Sequence, residues 1–299
     1  MSQNPIVPFV IAEIGCNHAG DLEIAKKMIS VAANFCEIDA VKFQKRDNKV
    51  LFSEEEYNAP HPNPMHSFGE TYGAHREFLE FTIEQHVELA EHCRKEGVVY
   101  STSVWDVPSA KQVASINPEF IKVPSATNLN FDVLSVLTDE YGGKIHISLG
   151  MTTREEEERI VDFLRAKGRI DDVVLYACTS GYPVPFDQLA LMEVKRLKDT
   201  YGSELSGVGF SGHHLGIAAD VAAMTLGATT VERHFTLDRT AKGTDHSASL
   251  EPDGLRRLKR DLKHVSASLR YKEEELLDVE IATRKKLKWT PVNESSFAV

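Results

Sequence analysis

The sequence predicts an α/β protein built as a single (β/α)₈ barrel with a C-terminal helical extension. Three observations predict it: eight short apolar, β-branched runs, amphipathic charged stretches between them, and polar residues where run after run ends. Runs apolar on both faces suit strands buried on both sides, as parallel sheets require. Eight strand–helix units within residues 1–270 match a barrel, which typically takes about 250 residues. An open doubly wound sheet shows the same alternation, so counting elements does not by itself close the barrel.

The first run is FVIAEIG, Phe9 to Gly15, with the helix-period segment LEIAKKMISVAANF behind it. AVKFQ begins at Ala40, VVYSTSV at Val98, FIKVPSA at Phe120 and KIHISLGM at Lys144. VVLYACTS begins at Val173, GVGFSGHH at Gly207 and TTVERHFT at Thr229. The helix-period stretch TIEQHVELAEHCRKEG closes on a glycine suited to a C-cap. NFDVLSVLTDEYGG, TREEEERIVDFLRAKG and DQLALMEVKRLKDTYG are expected to end the same way. GIAADVAAMTLG is shorter and more apolar, so it is expected to pack hard against its neighbours.

Two stretches depart from the alternation. Residues 46–80 form a long connection rich in Asn, Pro, His and Gly. Long connections in compact domains are usually functional or disordered, and the aromatics and Arg in this one favour a lid. Beyond Leu269, YKEEELLDVEIATRKKLKW reads as a charged amphipathic helix and TPVNESSFAV as a frayed tail. The expected organisation is therefore a barrel over 1–270 and a C-terminal helix and tail over 271–299.

The apolar fraction (42%) and charged fraction (26%) are enough for a soluble globular core. A formal charge of −11 argues against nucleic acid as a partner, though a few lysines at one mouth can still make a local anion site. No run approaches the roughly 18–20 apolar residues of a membrane span, and no basic start precedes an apolar stretch. Cys16, Cys36, Cys93 and Cys178 show no CxxC pairing. They read as reduced thiols, which points to a cytoplasmic protein.

Barrel active sites lie at the C-terminal ends of the strands, and there this sequence gathers polar groups. Glu13 is on the first run, Lys42 and Gln44 on the second, and Ser101, Thr102 and Ser103 on the third. Lys122 and Ser125 follow on the fourth, Ser148 on the fifth, Thr179 and Ser180 on the sixth. Ser211 and His213 end the seventh, and Glu232 and His234 lie on the eighth. One buried polar residue is often a satisfied core group, but a whole ring of them is costly unless a polar ligand fills the mouth. Two lysines with several serines suit a phosphate plus a carboxylate. His213 and His234, on adjacent strands, could hold one divalent metal with positions left for water or substrate.

Other candidates have plainer readings. His61, His66 and His75 lack ligand spacing and read as solvated loop histidines. Successive side chains of a strand point to opposite faces, so at most one of His213 and His214 joins His234. Glu155 to Glu158 fall in the first turn of a helix, where acids suit the dipole. Asp245, in the GTDH segment, reads equally as a site carboxylate or a turn residue. Cys178 has no evident base beside it and reads as a structural thiol.

The segments AEIGCNHAGD, VKFQ, YGAHREFLEF, KVPSATNLNFDVL, SLGMT, ACTSGYP, GFSGHHLGIAADVAAMTLGA and ERHFTLDRTAKGTDHSASLEP run in order from about Phe9 to Pro252. Together they resemble the catalytic barrel of the sialic-acid (nonulosonic-acid) synthase family. The resemblance implies that phosphoenolpyruvate adds through C3 to the aldehyde of an open-chain N-acylated hexose, N-acetylmannosamine-like or a diacetamido-trideoxyhexose. Phosphate leaves and a nine-carbon 2-keto acid remains. By motif position Lys42, Lys122, Ser125, Ser148, Ser180 and Ser211 would hold the phosphoenolpyruvate. His213 and His234 would ligate Mn²⁺ or Mg²⁺, Glu13 would manage protons or the attacking water at C2, and Tyr182 and Asp245 would face the sugar. A homodimer through the barrel is expected by the same analogy.

Three departures from the family pattern stand out. Thr127 occupies a place two residues after the fourth-strand serine that is acidic in many members. The seventh strand reads Ser-Gly-His-His where many read Ser-Asp-His-Thr. The family commonly continues into a small antifreeze-like domain carrying an arginine, which is not expected within these 299 residues. Two other readings stay open at this point: a barrel metallohydrolase acting on a phosphorylated sugar, and a catalytically silent sugar-binding homologue.

Overall fold

A computed structural model describes residues 7–289. Eight parallel strands close into a barrel in chain order: β1 (Phe9–Gly15), β2 (Ala40–Lys45), β3 (Val99–Val104), β4 (Phe120–Val123), β5 (Lys144–Ser148), β6 (Val173–Cys178), β7 (Gly207–Gly212) and β8 (Thr230–His234). β1 hydrogen-bonds to β2 on one side and to β8 on the other, which rules out the open sheet.

Around the barrel lie α1 (Leu22–Asn34), α2 (Asn48–Leu51), α3 (Glu54–Asn58), α4 (Tyr72–Leu79), α5 (Ile83–Glu96) and α6 (Val107–Ile116). They are followed by α7 (Phe131–Glu140), α8 (Arg154–Ala166), α9 (Met192–Tyr201), α10 (Ala218–Leu226), α11 (Pro252–Ser268) and α12 (Asp278–Leu287). Many starts, including those of α1, α5 and α8, are set by side chains that satisfy the first free N–H groups. Asp21 accepts from the amides of Glu23 and Ile24 ahead of α1, and Thr82 and Gln85 form a reciprocal box at α5. The glutamates at 155–158 open α8, with Thr153 and Glu156 forming such a box.

The expected glycine ends hold in part. Gly97 (φ 74°) and Gly168 (φ 66°) take the left-handed conformation after α5 and α8. Gly202 keeps φ −61° and its amide still bonds Lys198 O at 2.9 Å, so it continues the helical turn. α7 stops earlier, at Glu140, because Tyr141 is held extended by tertiary bonds. Its hydroxyl donates to Pro118 O (2.6 Å), and Arg169 donates to its carbonyl (2.7 Å).

The sequence reading named neither α6 nor α11. α11 carries buried Leu255, Leu258 and Leu262 at helix spacing and packs against α10 and α1. The C-terminal helix is shorter than expected: α12 begins at Asp278 and buries no residue. The tail from 290 onward lies outside the described residues. Residues 46–80 are not an irregular lid but three short helices, α2–α4, with a 3₁₀ turn at Pro64–His66. Among the described residues no helix is long and apolar enough to cross a membrane.

Alternation along each strand divides the apolar residues into two layers. Val10, Ala12 and Ile14 of β1 join the core between barrel and helices, while Ile11 joins Ala40, Phe120, Val174 and Tyr176 inside the barrel. Gly209 makes room for Tyr176, since a Cβ there would meet its ring at 2.4 Å. Tyr176 in turn bonds His146 Nδ1 through its hydroxyl at 2.7 Å. On β8, Arg233 faces outward and is fully buried. Its guanidinium donates to Asp220 Oδ2 (2.5 Å), Gly216 O (2.8 Å) and His214 O (2.6 Å).

Removing one partner of a buried ion pair leaves an uncompensated charge. Asp220→Ala is therefore expected to lower unfolding stability by about 3–5 kcal/mol, read from the urea midpoint. A loss within experimental error of zero would show that the carbonyls alone hold Arg233.

Candidate active site

Register brings the inward-facing polar residues to one level. Glu13 lies beside Lys42 across β1–β2 and beside His234 across β1–β8. Ser103 neighbours Lys122, and Ser211 neighbours Glu232. The Lys42 ammonium contacts the Glu13 carboxylate, donates to Ser103 Oγ at 2.8 Å and lies 3.5 Å from Glu232 Oε1. Lys122 donates to Glu232 Oε2 at 3.0 Å and stands 3.4 Å above the Tyr176 ring. Gln44 donates to Glu13 Oε1 at 2.8 Å. The result is a charge-neutral chain, Glu13–Lys42–Glu232–Lys122, in which no residue is more than 7% exposed.

The four groups do not share their protons evenly. Burial pushes the Glu13 carboxyl up to about 7 despite the pull of Lys42. Burial also acts on Glu232, but the two lysines outweigh it and hold this carboxyl far below the usual range. Burial works against the charge on Lys42, yet Glu13 and Glu232 together raise it. Lys122, with one carboxylate partner, is lowered by burial. Glu13 is thus the member of the chain placed to change protonation near neutral pH.

Above this floor a cavity of about 420 Å³ opens at the C-terminal strand ends. Ser125, Ser148, Ser180 and Ser211 all line it, as do Tyr182 and Asp245. Ser125 Oγ accepts from the Gly150 amide at 3.0 Å. A Cβ on Gly150 would lie 2.4 Å from Ser180 Oγ and 2.7 Å from Ser125 Oγ, so glycine lets the two hydroxyls close in. Ser101 spends its hydroxyl on Phe120 O, Thr102 is buried away from the cavity, and Thr179 Oγ1 bonds Gln188 O. These three are not cavity groups.

His213 and His234 face each other with ring centroids 5.4 Å apart, and the Tyr182 ring lies 4.4 Å from the first and 5.8 Å from the second. Thr179 O lies 3.0 Å from His213 Nδ1. A carbonyl only accepts, so Nδ1 carries the proton and Nε2 is left as a lone-pair donor. His234 Nδ1 is buried with no partner, and burial keeps this ring toward its neutral form. His214 turns to the other face, 3.2 Å from Arg233, as strand alternation requires.

The model of the NeuB family matches residues 28–274. The chain belongs to the NeuB family. It is 36% identical to the human N-acetylneuraminate-9-phosphate synthase over 93% of its own length and 76% of that protein's. It is 33% identical to the N,N'-diacetyllegionaminic acid synthase of Campylobacter jejuni over 87% of this chain and 77% of that one. The crystal structure of the N-acetylneuraminic acid (sialic acid) synthetase of Leptospira borgpetersenii, in complex with citrate, superposes with a TM-score of 0.78. That comparison covers 96% of this chain and 94% of the other at 29% identity.

The metal that NeuB membership implies finds two facing imidazoles here and little else. Among the described residues no group of three or more His, Cys, Asp or Glu is placed to hold an ion. The donor set fits a divalent cation completed by water and substrate oxygens. Other sequence readings change. Cys178 lines the cavity, where side-chain contacts with His213 and Ser125 outweigh burial and lower its thiol, so it does have an imidazole beside it. His61 and His75 are buried and pack together at 4.4 Å rather than being solvated. Asp245 serves both readings, lining the cavity and leading into the 3₁₀ turn at His246–Ala248. Thr127 lies in the Ser125–Thr127 turn but not in the cavity wall.

Sequence reasoning gave no role to Ser103, Gln44 or Glu232, although period-2 alternation from Ser101, Lys42 and His234 points each of them inward. Arg46, Arg76 and Trp105 also line the cavity, and the two arginines come from the 46–80 segment, whose fold carries no periodic signal. The two-imidazole site makes a direct prediction. His234→Ala is expected to weaken Mn²⁺ binding by more than the roughly 10–100-fold that a supporting hydrogen bond is worth, measured by calorimetry. Unchanged affinity would place the ion elsewhere.

Proposed function

We propose that this NeuB-family chain is a nonulosonic-acid synthase that condenses phosphoenolpyruvate with the open-chain aldehyde of an N-acylated hexose. The observation that carries this reading is the pairing of two buried lysines with a fan of serines on successive strands, beside two facing imidazoles. Several relatives are named as synthases of such acids, though one set names a 9-phosphate product and another does not. A homodimer and a cytoplasmic setting go with the proposal.

The reaction forms one C–C bond and breaks the C–O bond between C2 and phosphate, with water supplying the keto oxygen. Ser125, Ser148, Ser180 and Ser211 offer hydroxyl donors to phosphate and carboxylate oxygens, and Lys42 and Lys122 supply the positive charge. The lysines arrive already oriented by Glu13, Ser103 and Glu232, so little reorganisation accompanies binding. Phosphoenolpyruvate C3 attacks the aldehyde carbon, whose oxygen takes a proton. Glu13, titrating near neutrality, takes a proton from the water that adds at C2. A divalent cation held by His213 and His234 would polarise the aldehyde oxygen as a Lewis acid. Tyr182 and Asp245 offer a ring face and an acceptor for sugar hydroxyls.

The metallohydrolase reading needs more ligands than the two imidazoles. The silent-homologue reading leaned on the expected lack of the antifreeze-like domain and on Thr127, which stands outside the cavity wall; both lysines, both imidazoles and Glu13 at the cavity weigh against it.

With Mn²⁺ and phosphoenolpyruvate, phosphate release is expected only when an acceptor from a panel of N-acetylated mannose and diacetamido-trideoxyhexose sugars is present. Chelator is expected to abolish it. Release without any sugar would revive the hydrolase. In the same assay kcat/KM is expected to rise with pH through about 7, because Glu13 acts as its carboxylate. Glu13→Gln should flatten that limb and cost about 10²–10⁴-fold in rate. A profile that falls above neutrality would make Glu13 the acid instead.

A further inference from the structure

The two buried lysines are held in unlike ways. Lys42 has two carboxylates and the Ser103 hydroxyl around its ammonium. Lys122 has one carboxylate, Glu232, at 3.0 Å, and beneath it the Tyr176 ring, whose centroid lies 3.4 Å from Nζ. An aromatic face attracts a cation through its quadrupole, more strongly where water is excluded, yet carries no net charge. A ring therefore supports a buried ammonium without cancelling its pull on an incoming anion, which a second carboxylate would do. Of the three N–H donors of this ammonium, one goes to Glu232. Among the described residues no other acceptor bonds it, and Lys122 borders the cavity.

The ring itself is held from several strands. Tyr176 pairs in register with Gly209 of β7, the residue whose missing Cβ makes room for it. Its hydroxyl meets His146 Nδ1 at 2.7 Å. His146 is the β5 register partner of Lys122, and its imidazole stacks on Phe120 with centroids 4.1 Å apart and 17° between planes. Phe120 in turn meets Phe9 of β1 edge to face at 6.3 Å. A leucine would fill an apolar barrel floor with no partner at all, whereas a buried tyrosine hydroxyl needs one. Burial pushes the His146 imidazole well below its usual range, so it ties that hydroxyl without setting a like charge near Lys122.

We propose that Tyr176 and His146 are positioning residues for phosphoenolpyruvate: His146 tethers the Tyr176 ring, and the ring holds the Lys122 ammonium at the cavity floor with its charge free for the substrate anion. Neither residue lines the cavity, so both act through Lys122. This rests on the synthase reading and adds to it two residues that no substrate touches.

Calorimetric binding of phosphoenolpyruvate to the full chain, with no sugar present, tests it. Tyr176→Leu is expected to weaken binding about 10–30-fold, the worth of a desolvated cation–π contact. Tyr176→Phe keeps the ring and gives up only the bond to His146, so its loss is expected to stay below about fivefold. In a Lys122→Met background the further change Tyr176→Leu is expected to weaken binding no more, because the two residues act as one. Native affinity in Tyr176→Leu, or a loss that persists in full beside Lys122→Met, would overturn the assignment. The placement is also read without substrate, by nuclear magnetic resonance of protein with isotope-labelled lysine Cε. The signal that disappears in Lys122→Met is expected upfield of the other lysines, because its protons lie over a ring, and to stay there in Tyr176→Phe. An unshifted signal in the native chain would equally overturn the proposal, even should Tyr176→Leu fail to fold. If native protein does not bind phosphoenolpyruvate, the synthase reading fails by itself, and the resonance still decides whether the ring holds Lys122.

Discussion

Burying a lysine ammonium costs several kcal/mol unless a carboxylate is buried with it, and this barrel buries two. The alternating chain Glu13–Lys42–Glu232–Lys122 makes that possible inside a closed sheet, and much of the site follows from it. Each link bridges different strands: Glu13 from β1, Lys42 from β2, Lys122 from β4 and Glu232 from β8. The charges therefore tie opposite sides of the barrel together at the level where the cavity begins. The same chain leaves Lys122 with one partner and Lys42 with two, and that asymmetry sets which groups hold their protons. Ion pairs of this kind contribute little net stability, so their value is positional: two ammonium groups wait in place for an anion.

Much of this was legible in the sequence, and the reason is periodicity. The strand runs begin at or one residue before the observed strands because apolar β-branched residues alternate with nothing that a helix would keep. The inward position of His213 and the outward position of His214 followed from the same two-residue period. What stayed hidden depends on where distant parts of the chain meet. The helical end at Glu140 is decided by Arg169 and Pro118, not by the glycines after it. Cys178 gains its imidazole neighbour only when β6 and β7 pair. Arg46 and Arg76 reach the cavity through a segment of short helices whose composition looked like loop. The family resemblance supplied roles for only some of its residues: Glu232 and Arg76 lie within the segments ERHFTLD and YGAHREFLEF but received none, while Ser103 and Arg46 lie outside them.

Beneath the charges lies a packing constraint that holds them at their height. Tyr176 fills the barrel interior, made possible by the bare backbone of Gly209 and anchored by His146. Lys122 stands on the face of that ring. Burial keeps His146 neutral, so the plug adds no charge to the neutral chain above it. Lowering the plug would let the ammonium drop away from Glu232, and a bulkier residue at 209 would push the ring toward it. A glycine on one strand thus sets the position of a lysine on another.

β8 shows why register matters more here than the strength of any single bond. Three consecutive residues take three different roles: Glu232 joins the lysines, His234 faces His213, and Arg233 between them points outward to Asp220, His214 O and Gly216 O. A slip of one residue would send the arginine into the barrel and both site residues out among the helices. The outward anchor is what resists that slip, because the guanidinium finds a carboxylate and two carbonyls only in the observed register. His214, one residue beyond the candidate metal histidine, belongs to the same anchor. The outer network that holds β8 against α10 therefore also fixes the separation of the two imidazoles, so the position of the proposed metal site is set from behind the strands as well as from within the cavity.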